Sequence, residues 1–322
     1  MRSVEDCKVV VIGGAGFIGS HIVEDLLKEN VREVVVYDNF TRGKRENLER
    51  VSQDKRLKIW EGDIQYSDVL HAVLKGADYV FHLAALWLLH CHEYPRAAFQ
   101  VNTGGTFNVL EACRDQGVKK LVFSSSASVY GNALEVPMTE DHLFNNRTFY
   151  GATKIAGEQM CRAFYERYGL NYVGLRYMNV YGPRQDDQGA YTSVIMKILQ
   201  RFDSGLPPIV YGDGSQTYDF IYVSDVARAN ICALKSDATD AFYNVGCGVG
   251  TSIRELAEAM LKLTGSSQDI QYEPAGQTFV THRIGSTERA KSELGFEASV
   301  SLEEGLRELI EWRNSRNNGT NS

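Results

Sequence analysis

Tyr150 and Lys154 stand four residues apart in the segment Tyr150-Gly151-Ala152-Thr153-Lys154. On a helix that spacing places both side chains on one face. An ammonium held near a phenol stabilises the phenolate and draws its pKa toward neutrality, above all with a positive nicotinamide alongside. Such a tyrosine can take or return the proton of a substrate hydroxyl while a hydride moves. A tyrosine–lysine pair at this spacing is common by chance and usually lies on a solvated face. Ser124-Ser125-Ser126, directly after an apolar run, adds a second part. Open α/β sheets bind ligands at the carboxyl ends of their strands, where a serine hydroxyl can bond the same substrate oxygen. Serines ending a strand are also ordinary turn formers, so their reading depends on Tyr150 and Lys154.

A second chemistry is written near the N-terminus. Gly13-Gly14-Ala15-Gly16-Phe17-Ile18-Gly19 has the spacing G-x-x-G-x-x-G between a β-branched run and a helical pattern. Gly13, Gly16 and Gly19 permit a tight turn that lets backbone N–H groups approach a pyrophosphate, and a helix N-terminus adds a favourable dipole. Asp38 ends the second apolar run, nineteen positions past Gly19. A carboxylate there accepts hydrogen bonds from a ribose and repels a 2′-phosphate, which favours NAD over NADP. Arg42 and Arg45 are the counter-reading, since either could meet a 2′-phosphate.

These groups need a scaffold, and the first half supplies one. Short strand-like runs at 8–12 (the most β-branched), 33–37, 57–61, 79–83 and 120–124 alternate with helical patterns at 21–29, 68–74 and 98–116, followed by a helix at 150–168 and a strand at 171–176. This alternation predicts βαβ units and a doubly wound parallel sheet of the α/β class, a Rossmann arrangement. After Gly182-Pro183 the regularity breaks into segments at 192–202, 219–223, 225–234 and 253–264. The expected organisation is an NAD-binding domain over 1–178, with later returns to it at about 219–250, and a smaller substrate domain mainly over 179–313. The polar stretch 314–322 is expected to be a disordered tail.

Composition narrows the partners. The chain has 322 residues, 43% hydrophobic, with a net charge of −7 and no basic stripe, which argues against nucleic acid. No apolar run reaches the ~20 residues of a membrane span, and the first eight residues are too polar for a signal peptide, so a cytoplasmic protein is expected. The six cysteines lie far apart and read as free thiols. His90-Cys91-His92 is not read as a metal site, because adjacent side chains diverge and no second ligand cluster has the spacing for one.

The motifs taken together resemble the extended short-chain dehydrogenase/reductase family, and within it the nucleotide-sugar 4-epimerases. The matching stretches are GGAGFIGS at 13–20, GDI at 62–64, FHLAA at 81–85, VNTGGTFNVLEA at 101–112, FSSSASVYG at 123–131, YGATK at 150–154, LRYMNVYGPRQ at 175–185 and GDGSQTYDFIYVSDVA at 212–227. The resemblance implies that Asp63 and Ile64 hold the adenine, and that Leu83, Ala84 and Ala85 line the coenzyme. Asn102 and Ser124 would lie along it, and Asn39 and Tyr177 belong to the same set. It implies that Ser126 is the catalytic serine, Tyr150 the base, Lys154 the ligand of the nicotinamide ribose, and Asn179 a contact of the sugar nucleotide's phosphates. It also implies a homodimer formed through the helices at 99–113 and 151–165.

The two residues after Ser126 discriminate between reactions. The family's 4,6-dehydratases carry an Asp-Glu pair there and its decarboxylases a glutamate, whereas this chain has Ala127 and Ser128. What remains is oxidation and reduction at one carbon, which is all a 4-epimerase of a UDP-hexose needs. A 4-keto reductase or dehydrogenase releasing NADH is the alternative. A non-catalytic NAD-binding scaffold would have no need of Ser126, Tyr150 and Lys154 together. The substrate side departs from the family: Tyr218 stands where a phosphate-gripping arginine is usual, and a second such arginine is absent near Gly276. Arg184 or Arg283 can compensate. Arg283 aligns near the position that gates the sugar's 2-substituent, where it could pair with the carboxyl group of an acidic, uronic UDP-sugar, a reading ranked below a neutral hexose. Trp87, in an apolar loop with Leu86, Leu88 and Leu89, reads as a lid packing on the core or a sugar-stacking platform.

Overall fold

The computed structural model describes residues 3–186, 193–275 and 282–319, with side chains through Arg316. Five apolar runs of the first half become parallel strands: β1 (Lys8–Ile12), β2 (Glu33–Asp38), β3 (Leu57–Glu61), β4 (Tyr79–His82) and β5 (Lys120–Ser126). With β6 (Tyr172–Tyr177) and the late strand Ala241–Val245 they form one seven-stranded sheet, ordered Ala241–Val245, β6, β5, β4, β1, β2, β3. Val9, Val10, Val11 and Ile12 are fully buried, as expected of a strand covered on both faces. Apolar clusters fill both faces, one around Ile22, Leu26, Val226 and Tyr243, the other around Leu70, Leu110, Phe123 and Cys161.

The sheet reverses direction between β1 and β4. The chain winds outward from β1 through β3, returns to β4 on the other side of β1, and winds outward again. At that reversal the loops after β1 and β4 part and leave a crevice. Backbone bonds fix its floor: Gly13 N–H donates to Tyr37 O at 2.8 Å, and Leu83 N–H to Ile12 O at 2.8 Å.

Beyond β6 the chain builds a smaller body from very short strands. Asn179–Tyr181 pairs with Phe220–Tyr222, Thr217–Tyr218 lies between Thr251–Ser252 and His282–Arg283, and Ile209–Tyr211 pairs with Gln271–Glu273. Helices Val194–Asp203 and Ile253–Thr264 share a separate apolar cluster containing Met196, Leu199, Leu256, Met260 and Leu309. Helix Val223–Lys235 packs back on the main sheet with the cluster around Ile22 and Tyr243.

Two sequence expectations are corrected. The single helix expected over 98–116 is three pieces: Pro95–Ala98, a wide π-helical turn Phe99–Gly105, and Thr106–Asp115. Asn102 sits in the wide turn with its side chain engaged by the loop after β4, and Gly105 lies where a Cβ would come within 2.5 Å of Ile64. The stretch from 314 is not an unstructured tail as far as it is described, because helix Leu302–Gly319 runs through it. Leu306 and Leu309 bury that helix, and Arg313 pairs with Asp203 at 2.6 Å just before the expected break. Thr192, the expected start of the helix at 194, and Gly276 lie outside the described residues.

Candidate active site

A cavity of about 690 Å³ opens at the carboxyl ends of β1, β2, β4 and β5. The glycine turn and the helix Phe17–Lys28 form one wall, supplying Gly13, Gly16, Phe17, Ile18 and Gly19. Gly13 has φ +82°, and a Cβ on it would lie 2.7 Å from Ala84 N. A Cβ on Gly19 would lie 2.2 Å from Gly13 O, so neither position admits a side chain. The turn is therefore a bare backbone surface at a helix N-terminus, which fits a pyrophosphate.

Asp38 closes the next wall. Its Oδ2 accepts from Ala15 N–H at 3.0 Å and its Oδ1 from Phe40 N–H at 2.9 Å. The carboxylate thus pins the glycine turn to the end of β2. Burial nevertheless raises its pKa, the two amide bonds opposing. Asn39 donates to Asp63 Oδ2 at 2.7 Å, and Ile64, Leu83, Ala84 and Ala85 continue the lining. The two arginines weighed for a 2′-phosphate are engaged elsewhere. Arg42 stacks 3.7 Å from the centre of the Trp87 indole ring and bonds Asp186 at 3.2 Å, while Arg45 pairs with Glu61 at 2.8 Å. Trp87 therefore lines the cavity as the base of an arginine stack, and its Nε1 is buried without a hydrogen-bond partner.

The residues expected to be catalytic lie past β5. Helix Phe149–Tyr168 starts at Thr148, whose side chain caps Gly151 N–H at 3.0 Å, and this sets Tyr150 and Lys154 on the face toward the cavity. Lys154 is buried, donates to Ser124 O at 2.7 Å, and lies 5.8 Å from the centre of the Tyr150 ring. Burial pushes its pKa down to about 8. Tyr150 does not show the lowered pKa expected from the spacing. Burial pushes the phenol up to about 12, against the pull of a hydrogen bond with Ser126 and the charges of Arg283 and Arg42. In the protein alone desolvation outweighs these. Ser126 joins the site through Tyr150 and also accepts from Ser128 N–H at 3.1 Å. Tyr177 OH lies 2.9 Å from Ser124 Oγ and donates to Asn230 Oδ1 at 3.0 Å.

Five expected residues do not line this cavity. Asn102 is a positioning residue: its side chain bonds Leu86 N–H at 2.7 Å and Leu86 O at 3.0 Å, fixing the loop that carries Trp87. Ser126 contacts the site through the phenol. Asn179 donates to Asp219 O at 3.3 Å. Tyr218 and Arg283 are paired residues of neighbouring strands. Arg184 does line the cavity, in a positive-φ conformation at +71°, but its guanidinium is neutralised by Glu24 and bonded to Ser20 Oγ at 3.1 Å. Sequence reasoning missed Asn47, which donates to Ala15 O at 2.8 Å and braces the glycine turn from behind. Asn230 was also missed; nothing in a helical pattern marks it. Among the described residues no cluster of His, Cys, Asp or Glu could hold a metal. No helix among them is long and apolar enough to cross a membrane.

Comparison with known proteins agrees with this geometry. The model of the NAD dependent epimerase/dehydratase family matches residues 9–246. A putative UDP-glucose 4-epimerase of Methanocaldococcus jannaschii is 35% identical, over 96% of this chain and 99% of its own length. A UDP-N-acetyl-alpha-D-glucosaminuronate decarboxylase of Bacillus cytotoxicus is 34% identical, over 95% and 97%. Among solved structures, a UDP-N-acetylglucosamine 4-epimerase from Methanobrevibacter ruminantium, in complex with UDP-N-acetylmuramic acid, superposes with a TM-score of 0.92 at 37% identity, over 97% of this chain and 99% of that one.

Proposed function

Since the chain belongs to the NAD dependent epimerase/dehydratase family, we propose that it is an NAD-dependent 4-epimerase of a UDP-linked hexose. The observation that carries this reading is Tyr150 on the cavity wall with Lys154 5.8 Å from its ring centre, with Ala127 and Ser128 where an elimination or decarboxylation would need acids. Ala127 and Ser128 are both buried, so no carboxylate enters from that turn.

The glycine turn, Asp38 and the Asp63–Ile64 pair would hold NAD, which would supply the hydride acceptor and donor. Tyr150 takes the proton from the sugar O4, and Ser126 bonds the same oxygen. Lys154, fixed on Ser124 O, keeps a positive charge behind the phenol and lowers the cost of phenolate. The ketone formed at C4 then presents its other face, and Tyr150 returns the proton to O4. The competing reading, a decarboxylase like the Bacillus relative, lacks an acid at 127 or 128. A dehydrogenase would use the same residues and release NADH.

The test is conversion of UDP-glucose to UDP-galactose by purified protein without added coenzyme. Interconversion with no net NADH is expected, and stoichiometric NADH release overturns the reading. We also assign the active form to a cytoplasmic homodimer. Exposed Phe107 on helix Thr106–Asp115, and Phe149 and Tyr168 on helix Phe149–Tyr168, support a paired-helix interface. The same reading divides the chain into a coenzyme domain over 1–178, with later returns to it at about 219–250, and a substrate domain mainly over 179–313.

A further inference from the structure

Three loops meet across the mouth of the coenzyme cavity. In the sheet β1 lies between β4 and β2, so the loops that follow β2 and β4 stand on either side of the glycine turn that ends β1. Arg42, on the loop after β2, reaches across to Trp87, on the loop after β4, and stacks 3.7 Å from the centre of its indole ring. The guanidinium also pairs at 3.2 Å with Asp186, from the segment that follows Asn179–Tyr181. All three residues line the cavity, and the Arg42 side chain is 40% exposed, which places it at the solvent boundary. Its charge is also felt at Tyr150. Both anchors are braced from behind. The Trp87 ring meets His90 edge-on with 4.9 Å between centres, and His90 meets Tyr94 at 5.0 Å. The segment carrying Asp186 is docked on helix Phe17–Lys28: His21 Nε2 donates to Pro183 O at 3.2 Å, and Arg184 bonds Ser20 Oγ at 3.1 Å and pairs with Glu24. Arg42 is thus a long side chain held between two fixed points.

We propose that Arg42 is a strap across the coenzyme crevice, latched to Trp87 and Asp186, that must open before NAD can exchange. The proposal rests on NAD lying in this cavity and holds whichever sugar reacts. A pyrophosphate seated on the glycine turn lies under a bridge from the β2 loop to the β4 loop, so the coenzyme leaves only when the stack and the ion pair break. Each latch is modest alone: a cation over an indole face, or a half-exposed ion pair, is worth only about a few-fold in an equilibrium. Here both act on one guanidinium. In a cycle that ends with the coenzyme as it began, release serves no step, and slow exit keeps the enzyme loaded. The competing reading is a direct bond from Arg42 to a coenzyme phosphate, and Asp186 separates the two. In the strap Asp186 holds the guanidinium in place, so removing its charge loosens the closure. If Arg42 gripped a phosphate, Asp186 would compete for the same cation, and removing its charge would tighten the grip.

The test follows the loss of adenine-labelled NAD from loaded protein after addition of excess unlabelled NAD. Arg42→Met speeds the loss roughly 3- to 20-fold, and Trp87→Leu and Asp186→Asn each roughly 2- to 5-fold. Adding Asp186→Asn to Arg42→Met speeds it no further, because both break the same latch. Arg45→Met removes a neighbouring charge that is held by Glu61 and leaves the rate at the wild-type value. Slower loss in Asp186→Asn assigns Arg42 to a phosphate and overturns the strap. Rates within about 1.5-fold of wild type in Arg42→Met and Asp186→Asn overturn it too, as does an Arg45→Met variant that loses label as fast as Arg42→Met. The three variants lie on three loops, so failure of one to fold leaves the other two to decide. The readout needs no sugar: absence of epimerisation in the turnover assay would overturn the reaction assigned above and leave the strap standing, whereas protein that takes up no labelled NAD overturns both.

Discussion

Lys154 Nζ lies 2.7 Å from the carbonyl oxygen of Ser124 and 5.8 Å from the ring centre of Tyr150. The lysine is thus tied to the strand end, and it acts on the phenol through space. One hydrogen bond thus holds β5 against the helix and keeps the ammonium near the Tyr150 ring.

Removing the phenol hydroxyl should abolish chemistry with the fold intact. Tyr150→Phe is expected to lower kcat by roughly 10²- to 10⁴-fold, the usual worth of a positioned acid–base group. Thermal melting and bound coenzyme should stay near wild type. Turnover at more than a tenth of the wild-type rate would remove Tyr150 as the proton-transfer residue.

Asp38 is expected to serve both fold and coenzyme. Its two oxygens accept from Ala15 and Phe40 amides. Asp38→Asn turns one acceptor into a donor facing a donor, at a cost of about 1–3 kcal/mol. Equilibrium unfolding reads that loss, and titration with NAD should show weaker binding. NADP should not replace it, because Arg42 and Arg45 are held by Asp186 and Glu61. A variant that gains NADP affinity would show those arginines to be free to move.

Glu158 tests the support beneath the serines. It is fully buried, takes Arg176 through both oxygens at 2.9 and 2.7 Å, and accepts from Ser125 Oγ at 2.5 Å. Glu158→Gln leaves Arg176 without a countercharge and should destabilise by about 3–5 kcal/mol. Urea unfolding measures it; a loss under about 1 kcal/mol would mean that Tyr130 and the Glu140 carbonyl, which also accept from Arg176, suffice.

Buried histidines should make the protein acid-sensitive. Burial, aided by the charge of Lys154, pushes His82 down to about 3 from 6.5. The folded state keeps the ring neutral while the unfolded chain takes a proton below 6.5, so stability is full above that pH and is lost as pH falls toward 3. The slope is about 1.4 kcal/mol per pH unit for one proton. Asp219, pushed up to about 6 by burial, opposes this at intermediate pH. The clean measurement is therefore the difference in unfolding free energy between wild type and His82→Gln at pH 7 and pH 5. An identical pH slope in both proteins would exclude His82.

Much of this molecule is legible in its sequence. The valine-rich runs at 8–12 and 33–37 are buried on both faces, and such runs have few alternatives to a parallel strand. Glycine spacing and Asp38 locate the cavity because backbone clearance leaves a direct mark on sequence. Three things are hidden. The break at Phe99–Gly105 follows from where Asn102 is bonded, a tertiary fact that periodicity does not carry. Arg42 reads as a phosphate ligand only because its partner Asp186 lies far along the chain. The pKa of Tyr150 escapes the sequence because the burial that raises it is a tertiary fact that helical spacing does not carry.

The late strand Ala241–Val245 has a consequence for how the chain is made. It pairs with β6 in full register, from Ala241 opposite Val173 to Val245 opposite Tyr177. Until that segment leaves the ribosome, β6 presents an open row of amides and carbonyls, the kind of edge that recruits other chains. Asn244 on the late strand also accepts from Tyr130 and donates to Met138 O, so its arrival locks the turn after β5 as well. The seven-stranded sheet is therefore closed only by a segment far downstream of β6, after part of the smaller body has been made. A protein cut after Met178 should be an aggregating fragment.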